Sequence, residues 1–348
     1  MATAVDVVNA VIQTSSTLKD NIPLATNATL QGTGAAIMQY TPFMNEFING
    51  LVNRILFQEA RGAVYENPLR IFKGVDVPFG TDVQDSIANP AVATPYDSSA
   101  MSDVLSPANP DVKTVYYRRN RQDKYKVTIY DAQLAGAFLN ADAFGNFTNM
   151  ILNTLTSGDN IDEFKLMKGI VGKAINDGNI NKTEITLEAG KHEDFAKTLI
   201  TDAKAKYLQF QFPSTAYNCY QKMATAAGVK NATPLTTWTT PDRISVIIRA
   251  DVAAYTDVEV LAKAFNMDKT TFMGRQVIVD NFGDTGDAAK TLAVIADNTF
   301  LRTHDNRFQM AEAPYNAATL SRTYFLHHWE TMAFSPFANA HAFIEKAN

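Results

Sequence analysis

A single cysteine, Cys219, occurs in the 348 residues of this chain. That excludes an internal disulfide framework and any zinc site built from several cysteines. Charge is also sparse: Asp, Glu, Lys and Arg make up 19% of residues, and 31 basic against 36 acidic side chains leave a formal charge of −5. A pI near 5.6 gives no overall attraction to nucleic acid or to an anionic membrane. No stretch approaches the ~18 apolar residues that a membrane span needs. The start, Met1-Ala2-Thr3-Ala4-Val5-Asp6, has no basic region ahead of an apolar run, so no signal peptide is expected. The composition reads as a soluble protein made inside a cell.

Catalytic motifs are missing as well. There is no HExxH and no GxSxG. The densest histidine group is His327-His328-Trp329-Glu330, but adjacent histidines on a strand face opposite sides and cannot share a metal without distortion. Gly169-Ile170-Val171-Gly172-Lys173-Ala174 lacks the spacing and the hydroxyl residue of a phosphate loop and falls inside an amphipathic helix. Cys219 reads as a small core residue. Acids such as Asp159, Asp162 and Glu163 read as helix caps or solvated positions. No catalytic, cofactor or metal residue is assigned.

What the chain does have is 46% hydrophobic and 10% aromatic residues, enough for a large core in two units or one elaborated fold. Residues 1–40, rich in Thr, Ser, Asn and Ala, read as an arm that must pack on something else. After Thr41-Pro42, Phe43, Phe47, Leu51 and Ile55 recur every fourth residue, predicting a helix. From Asn67 to Tyr130 the chain changes character. Strand-like arms over 70–77 and over 112–129 flank a polar tip with Pro90, Pro95, Pro107 and Pro110, which describes an extended β-excursion with no core of its own.

Asp159 is placed as N-cap of a helix burying Phe164, Met167, Val171 and Ile175, with Gly178 just past its end. Together with 144–155 it makes one long or broken helical element over 143–177. A strand at 184–188 and a helix along Phe195, Leu199, Ala203 and Tyr207 follow. Arg243–Arg249, Gln276–Asp280 and Leu292–Ala296 read as short buried strands. Thr256–Glu259 is a capping box opening a helix to Phe265, and the aromatic tail from 321 to 343 supplies two strands around Ser335-Pro336. The class is α+β.

One cluster stands out. Residues 113–126 read KTVYYRRNRQDKYK, six basic side chains and three tyrosines opposed only by Asp123. Cations interleaved with aromatic faces suit nucleic acid. They equally suit ion pairs and phenol hydrogen bonds to another, acidic copy of the chain. The candidate inter-subunit contacts are Lys113, Arg118, Arg119, Arg121, Lys124 and Tyr125.

Four collinear blocks carry a family resemblance. They are Asp251 through Met267; Arg119-Asn120-Arg121-Gln122 with Tyr125, Thr128 and Ile129; Asn67-Pro68-Leu69 with Phe72-Lys73 and Pro78; and His327, Trp329 and Thr331 with Phe337–Ala340 and Ala342-Phe343. In order and spacing the chain resembles the major capsid (head) proteins of phi-29-like short-tailed phages, which have the Hong Kong 97-type fold. The resemblance implies an N-terminal arm at 1–60, an extended loop at 61–130, a peripheral domain with a spine helix at 131–190 and an axial domain at 191–312. Strands returning to the peripheral domain are implied at 313–348. The phi-29 head protein continues into an immunoglobulin-like domain, whereas this chain stops at Asn348, so that domain's role does not carry over.

The resemblance further implies a non-enzymatic subunit, with no cofactor, that self-assembles through pentamers and hexamers into a virion shell. Its implied partners are its own copies, a scaffolding protein, a portal or connector at one vertex and packaged double-stranded DNA, with no membrane. Assembly is implied in the host cytoplasm. The alternatives are an encapsulin-like shell of the same fold, a DNA-binding protein acting through 113–126, and a hydrolase using His327 or His328.

Overall fold

The computed structural model describes residues 4–54, 65–77, 82–93, 107–138, 153–186, 192–230, 232–255 and 275–346. Its strands in chain order are β1 (Val83–Ala88), β2 (Val112–Tyr117), β3 (Arg121–Tyr130), β4 (Asn181–Ile185) and β5 (Ile244–Arg249). They continue with β6 (Arg275–Val279), β7 (Thr291–Asp297), β8 (Leu301–Glu312), β9 (Ser321–Phe334) and β10 (Ala340–Glu345). They form a ribbon of β1 and β2, a five-stranded sheet in the order β4-β10-β7-β5-β6, and a three-stranded sheet in the order β3-β9-β8. Mixed helix and sheet bear out the α+β class. The chain divides into two compact units. The first comprises residues 1–67, 122–163 and 307–329, and the second 68–121, 164–306 and 330–348.

In the first unit, the stretch expected to be a coreless arm is four helices with a core. They are α1 (Ala4–Thr14), α2 (Ser16–Asn21), α3 (Leu30–Gln39) and α4 (Thr41–Arg54). Val7, Val8, Val11 and Ile12 form an i, i+3/i+4 stripe that the surrounding Thr, Asn and Ala disguise in the composition. This stripe packs with Leu18, Leu30, Ile37, Phe47 and Leu51, against Val127 and Ile129 of β3 and Tyr324 and Leu326 of β9. Ser15 caps α2, its hydroxyl accepting from the Leu18 N–H at 3.1 Å. Gly34 lies against Phe138, whose ring would stand 2.3 Å from an added Cβ, so only glycine permits the approach.

In the second unit, β5 and β7 are mainly apolar and buried along almost their whole length because both faces of the five-stranded sheet are covered. One face packs Ile247, Val294 and Ala296 against Met167, Val171 and Ile175 of the helix Gly158–Asn176. The other packs Ile244, Val246, Ile248 and Ile295 against Phe195, Leu199 and Ala203 of the helix His192–Gln209. Each such side chain contributes about 1.5–3 kcal/mol on burial. Gly178 ends the long helix as the sequence predicts, with φ +66° and its N–H donating to Ile175 at 2.9 Å.

Other expectations are corrected. Residues 68–72 form a 3-10 helix burying Leu69 and Phe72, not the start of a strand arm. The arm over 112–129 is broken: β2 belongs to the ribbon and β3 to the three-stranded sheet. Between them the Asn120 side chain imitates a backbone pair, donating to the Met332 carbonyl at 2.7 Å and accepting from its N–H at 2.8 Å. Strand β8, polar along its second half, had no clear alternation to announce it. Asp159 stands inside the first turn of its helix, not at the cap. The strand expected at 184–188 is centred earlier, at β4. The helix expected at 256–265, the segment 144–152 and Pro95 lie outside the described residues. No helix among the described residues is long and apolar enough to cross a membrane.

Candidate assembly surfaces

The ribbon is antiparallel, pairing Gln84 with Tyr116, Ser86 with Thr114 and Ala88 with Val112. These six residues share one face, are all exposed and carry no charge. The alternate residues turn onto the second unit, where Asp85 is the hub. Its carboxylate accepts from Arg302 Nη2 at 2.9 and 3.0 Å, from Ser335 Oγ at 2.9 Å and from Tyr117 OH at 3.4 Å. Burial, with the Asp85 charge adding to it, pushes the Tyr117 phenol up to about 12, so it stays a donor. The root of the ribbon is tied down by Asn89. Its amide donates to Asp111 at 2.8 Å and to the Pro234 carbonyl at 3.0 Å, and its oxygen accepts from the Thr236 N–H at 2.9 Å. Beside the ribbon lies a cleft of about 400 Å³ lined by Asp85–Ala88 and Thr236–Thr239. Its cations are already paired, Arg302 with Asp85 and Arg243 with Asp297.

The basic cluster is split by strand alternation. Arg121 is buried and its guanidinium pairs with Glu330 of β9, within its own unit. Glu330 also meets Lys73, which lies 2.8 Å from Asp305, making a four-membered charge network inside the second unit. Lys113 is likewise taken up in its own unit, 2.5 Å from Asp111, 2.7 Å from the Thr233 hydroxyl and over the Tyr220 ring. Its ammonium holds the Asp111 carboxyl below the usual carboxylate range. Tyr125 is half-buried and donates to Asp162 at 3.1 Å. Arg119 is half-buried at the turn. Arg118, with 85% of its side chain exposed, and Lys124 are the two of the six that face solvent.

The histidines behave as the strand argument requires. His328 is buried with Nδ1 2.8 Å from the Asp159 carboxylate, while His327 points the other way, half-buried. Cys219 is buried, and burial raises its thiol to about 11, which leaves almost no thiolate at neutral pH. Sequence reasoning missed Asp85 and Glu330. The signal for Glu330 was available, since it is the one carboxylate of β9 and stands in the inward row with Tyr324, Leu326 and His328.

A family model described as the Phi29-like phage major capsid protein matches residues 8–344. The major capsid protein of Bacillus phage PZA is 31% identical over 346 residues, covering 97% of this chain and 72% of that protein. That of Streptococcus phage Cp-1 is 27% identical over 360 residues, covering 99% of this chain and 95% of that protein. A chain in the capsid structure of Staphylococcus phage Andhra has a TM-score of 0.63 at 17% identity, over 83% of this chain and 86% of that one, a likeness of fold.

Proposed function

The chain belongs to the Phi29-like phage major capsid protein family and has the Hong Kong 97-type fold, and from that premise we infer a non-enzymatic shell subunit that encloses double-stranded DNA in a phage head. The match running from residue 8 to 344 carries this reading, because it takes in both units and the ribbon alike. We assign 61–130 to the extended loop that lies over a neighbour. The spine helix belongs to the peripheral segment 131–190, residues 191–312 to the axial domain and 313–348 to the returning strands. Of residues 1–60, the arm of the family scheme, those from 4 to 54 carry helices that share a core with β3 and β9.

The mechanism is repeated weak association. A contact of millimolar Kd is worth about 4 kcal/mol, and several made together in a closed shell hold by avidity. Head-to-tail contacts close into rings of five and six. The uncharged outer face of the ribbon supports this, since an exposed strand pair meant to stay alone is usually charged. Arg118 and Lys124 are inter-subunit contacts in this reading. The partners are other copies, a scaffolding protein, a portal and the packaged DNA, and assembly takes place in the host cytoplasm.

Electron microscopy of the purified protein across concentration, alone and with its scaffolding protein, tests this. Closed shells or five- and six-membered rings are expected. A protein that stays monomeric under all these conditions would overturn the reading.

A further inference from the structure

Within the second unit, the cleft beside the ribbon is walled on one side by Asp85–Ala88 of β1 and by no described residue of β2. The Asn89 N–H donates to the Asp111 carbonyl, which puts the hydrogen-bonded pairs of the ribbon at the odd-numbered residues of β1. The N–H and C=O groups of Ser86 and Ala88 therefore point away from β2, on the cleft side, and pair with no strand among the described residues. The facing wall is the extended stretch Thr236–Thr239. Thr237 and Thr239 are buried, so alternation turns Thr236 and Trp238 the other way, and Trp238 is 54% exposed at the cleft.

The floor is a continuous hydrogen-bond chain. Thr237 Oγ1 donates to Asn339 Oδ1 at 2.6 Å, Asn339 Nδ2 donates to Thr239 Oγ1 at 3.2 Å, and Thr239 Oγ1 donates to Asp297 at 2.9 Å. Arg243 Nη2 donates to the same Asp297 carboxylate at 3.1 Å; half of its side chain is exposed, and no acceptor meets Nε or Nη1 among the described residues. Arg243 and Arg302 are matched by Asp297 and Asp85, so the lining carries no net charge.

These features select a ligand. A phosphate or a nucleic acid needs cations in excess, and both arginines here are already paired with carboxylates. An acyl chain would leave the bare edge of β1 unsatisfied. An added peptide strand finds one edge and no second, because Thr237 and Thr239 direct their N–H groups to the Ser214 and Phe210 carbonyls. We propose that the cleft binds a neutral saccharide, a hexose or a disaccharide of hexoses, with the C–H face of one ring on the Trp238 indole. Its hydroxyls bond the Ser86 and Ala88 backbone and the outer N–H groups of Arg243. A hydroxyl both donates and accepts, which suits an edge that offers N–H and C=O in turn. The volume of about 400 Å³ is at the lower end for a small-molecule site, and one half-exposed aromatic ring beside a few convergent polar groups is the lining such a site needs. The cleft lies within one chain, so it stands or falls apart from the shell-subunit reading.

Saturation-transfer NMR on the unassembled full chain tests it, with methyl glucoside, methyl galactoside, N-acetylglucosamine and diacetylchitobiose as probes. At least one probe should show transfer to its ring C–H protons and a millimolar Kd. Trp238→Ala should weaken that binding roughly tenfold or more, and Trp238→Phe, which keeps a ring, much less. Ser86→Pro removes one N–H on the cleft side without touching the pairing of β1 with β2, and should weaken it several-fold. Trp238 is one of two tryptophans, so in the Trp329→Phe chain the same probe should shift the remaining indole emission. Absence of transfer to all of the probes overturns the proposal, and so does binding that neither Trp238→Ala nor Ser86→Pro weakens. A blocked Val-Thr-Val-Thr peptide that shifts the Trp238 emission, where the sugars leave it unchanged, would overturn it in favour of an added strand.

Discussion

Arg302 closes on Asp85 from 217 residues away in sequence, Nη2 lying 3.0 and 2.9 Å from the two carboxylate oxygens and Nε 3.2 Å from one of them. This is the geometry of a paired fork, and it fixes the ribbon where strand pairing alone would leave it marginal. Asp85→Asn keeps the shape and removes the charge. It should lower stability by about 2 kcal/mol, read as a shift in urea midpoint at unchanged slope, and should expose the ribbon to protease. An unchanged midpoint would show that the hub is not what holds the ribbon.

The buried network predicts a non-additive pair. Arg121→Met strands part of the Glu330 charge and should cost about 3–5 kcal/mol. Arg121→Met combined with Glu330→Leu should recover much of that loss, because Lys73 keeps Asp305 at 2.8 Å. A double variant as unstable as the sum of the single ones would contradict this.

Two glycines of one helix should respond with opposite signs. A Cβ on Gly172 would stand 2.1 Å from the Phe282 carbonyl oxygen, whereas one on Gly169 meets nothing within 4 Å. Gly172→Ala should destabilise by about 2 kcal/mol or more, and Gly169→Ala should stabilise by up to about 1 kcal/mol. Thermal melts of the two variants decide it. The contrast also explains the glycine pair that faintly resembled a phosphate loop: one of its members is there to admit a backbone.

Acid should weaken the second unit through His341. Its Nε2 lies 2.8 Å from the Thr183 hydroxyl, and burial, with Lys206 adding, depresses the imidazole from 6.5 to about 4. The unfolded chain takes up a proton below 6.5 while the folded one does not. The contribution is therefore complete above about 6.5 and falls away as pH drops toward 4, by up to about 3 kcal/mol. His341→Gln should flatten that slope in unfolding measurements between pH 7 and 4.5; an identical slope would exclude His341 as its source.

Removal of residues 1–40 should do more than impair association. Val8, Ile12, Leu18, Leu30 and Ile37 are all buried in the first unit, and Ile12→Ala alone should cost about 2–4 kcal/mol. Hydrogen exchange should show β3 and β9 losing protection in the deletion. Native protection there would restore the picture of a detachable arm.

Where local pattern and tertiary role coincide, the residues were readable in advance. β5 and β7 are β-branched and flanked by breaks, and the helix from 158 repeats Phe164, Met167, Val171 and Ile175. Gly178 sits where a left-handed cap is needed. The failures have physical causes of another kind. Thr, Asn and Ala around a valine stripe looked like an arm, because composition averages over a face that periodicity isolates. Arg121 looked like a surface cation, because its partner Glu330 lies 209 residues away. The break at Asn120 depends on Met332, which no local propensity reports. Six cations read as one patch resolve into inward and outward rows once strand register is known, leaving Arg118 and Lys124 of the candidate contacts facing solvent.

Among the described residues the ribbon is a sheet of two strands, with a rim of N–H and C=O groups along each edge. Its outer face has no charge to repel a copy. Shell closure and edge-to-edge stacking of ribbons are therefore competing fates for the same surface, and stacking gains on closure as free subunit accumulates. Synthesis that outruns the supply of growing shells should yield β-rich precipitate in place of heads, so the tempo of production is itself part of what makes the particle form correctly.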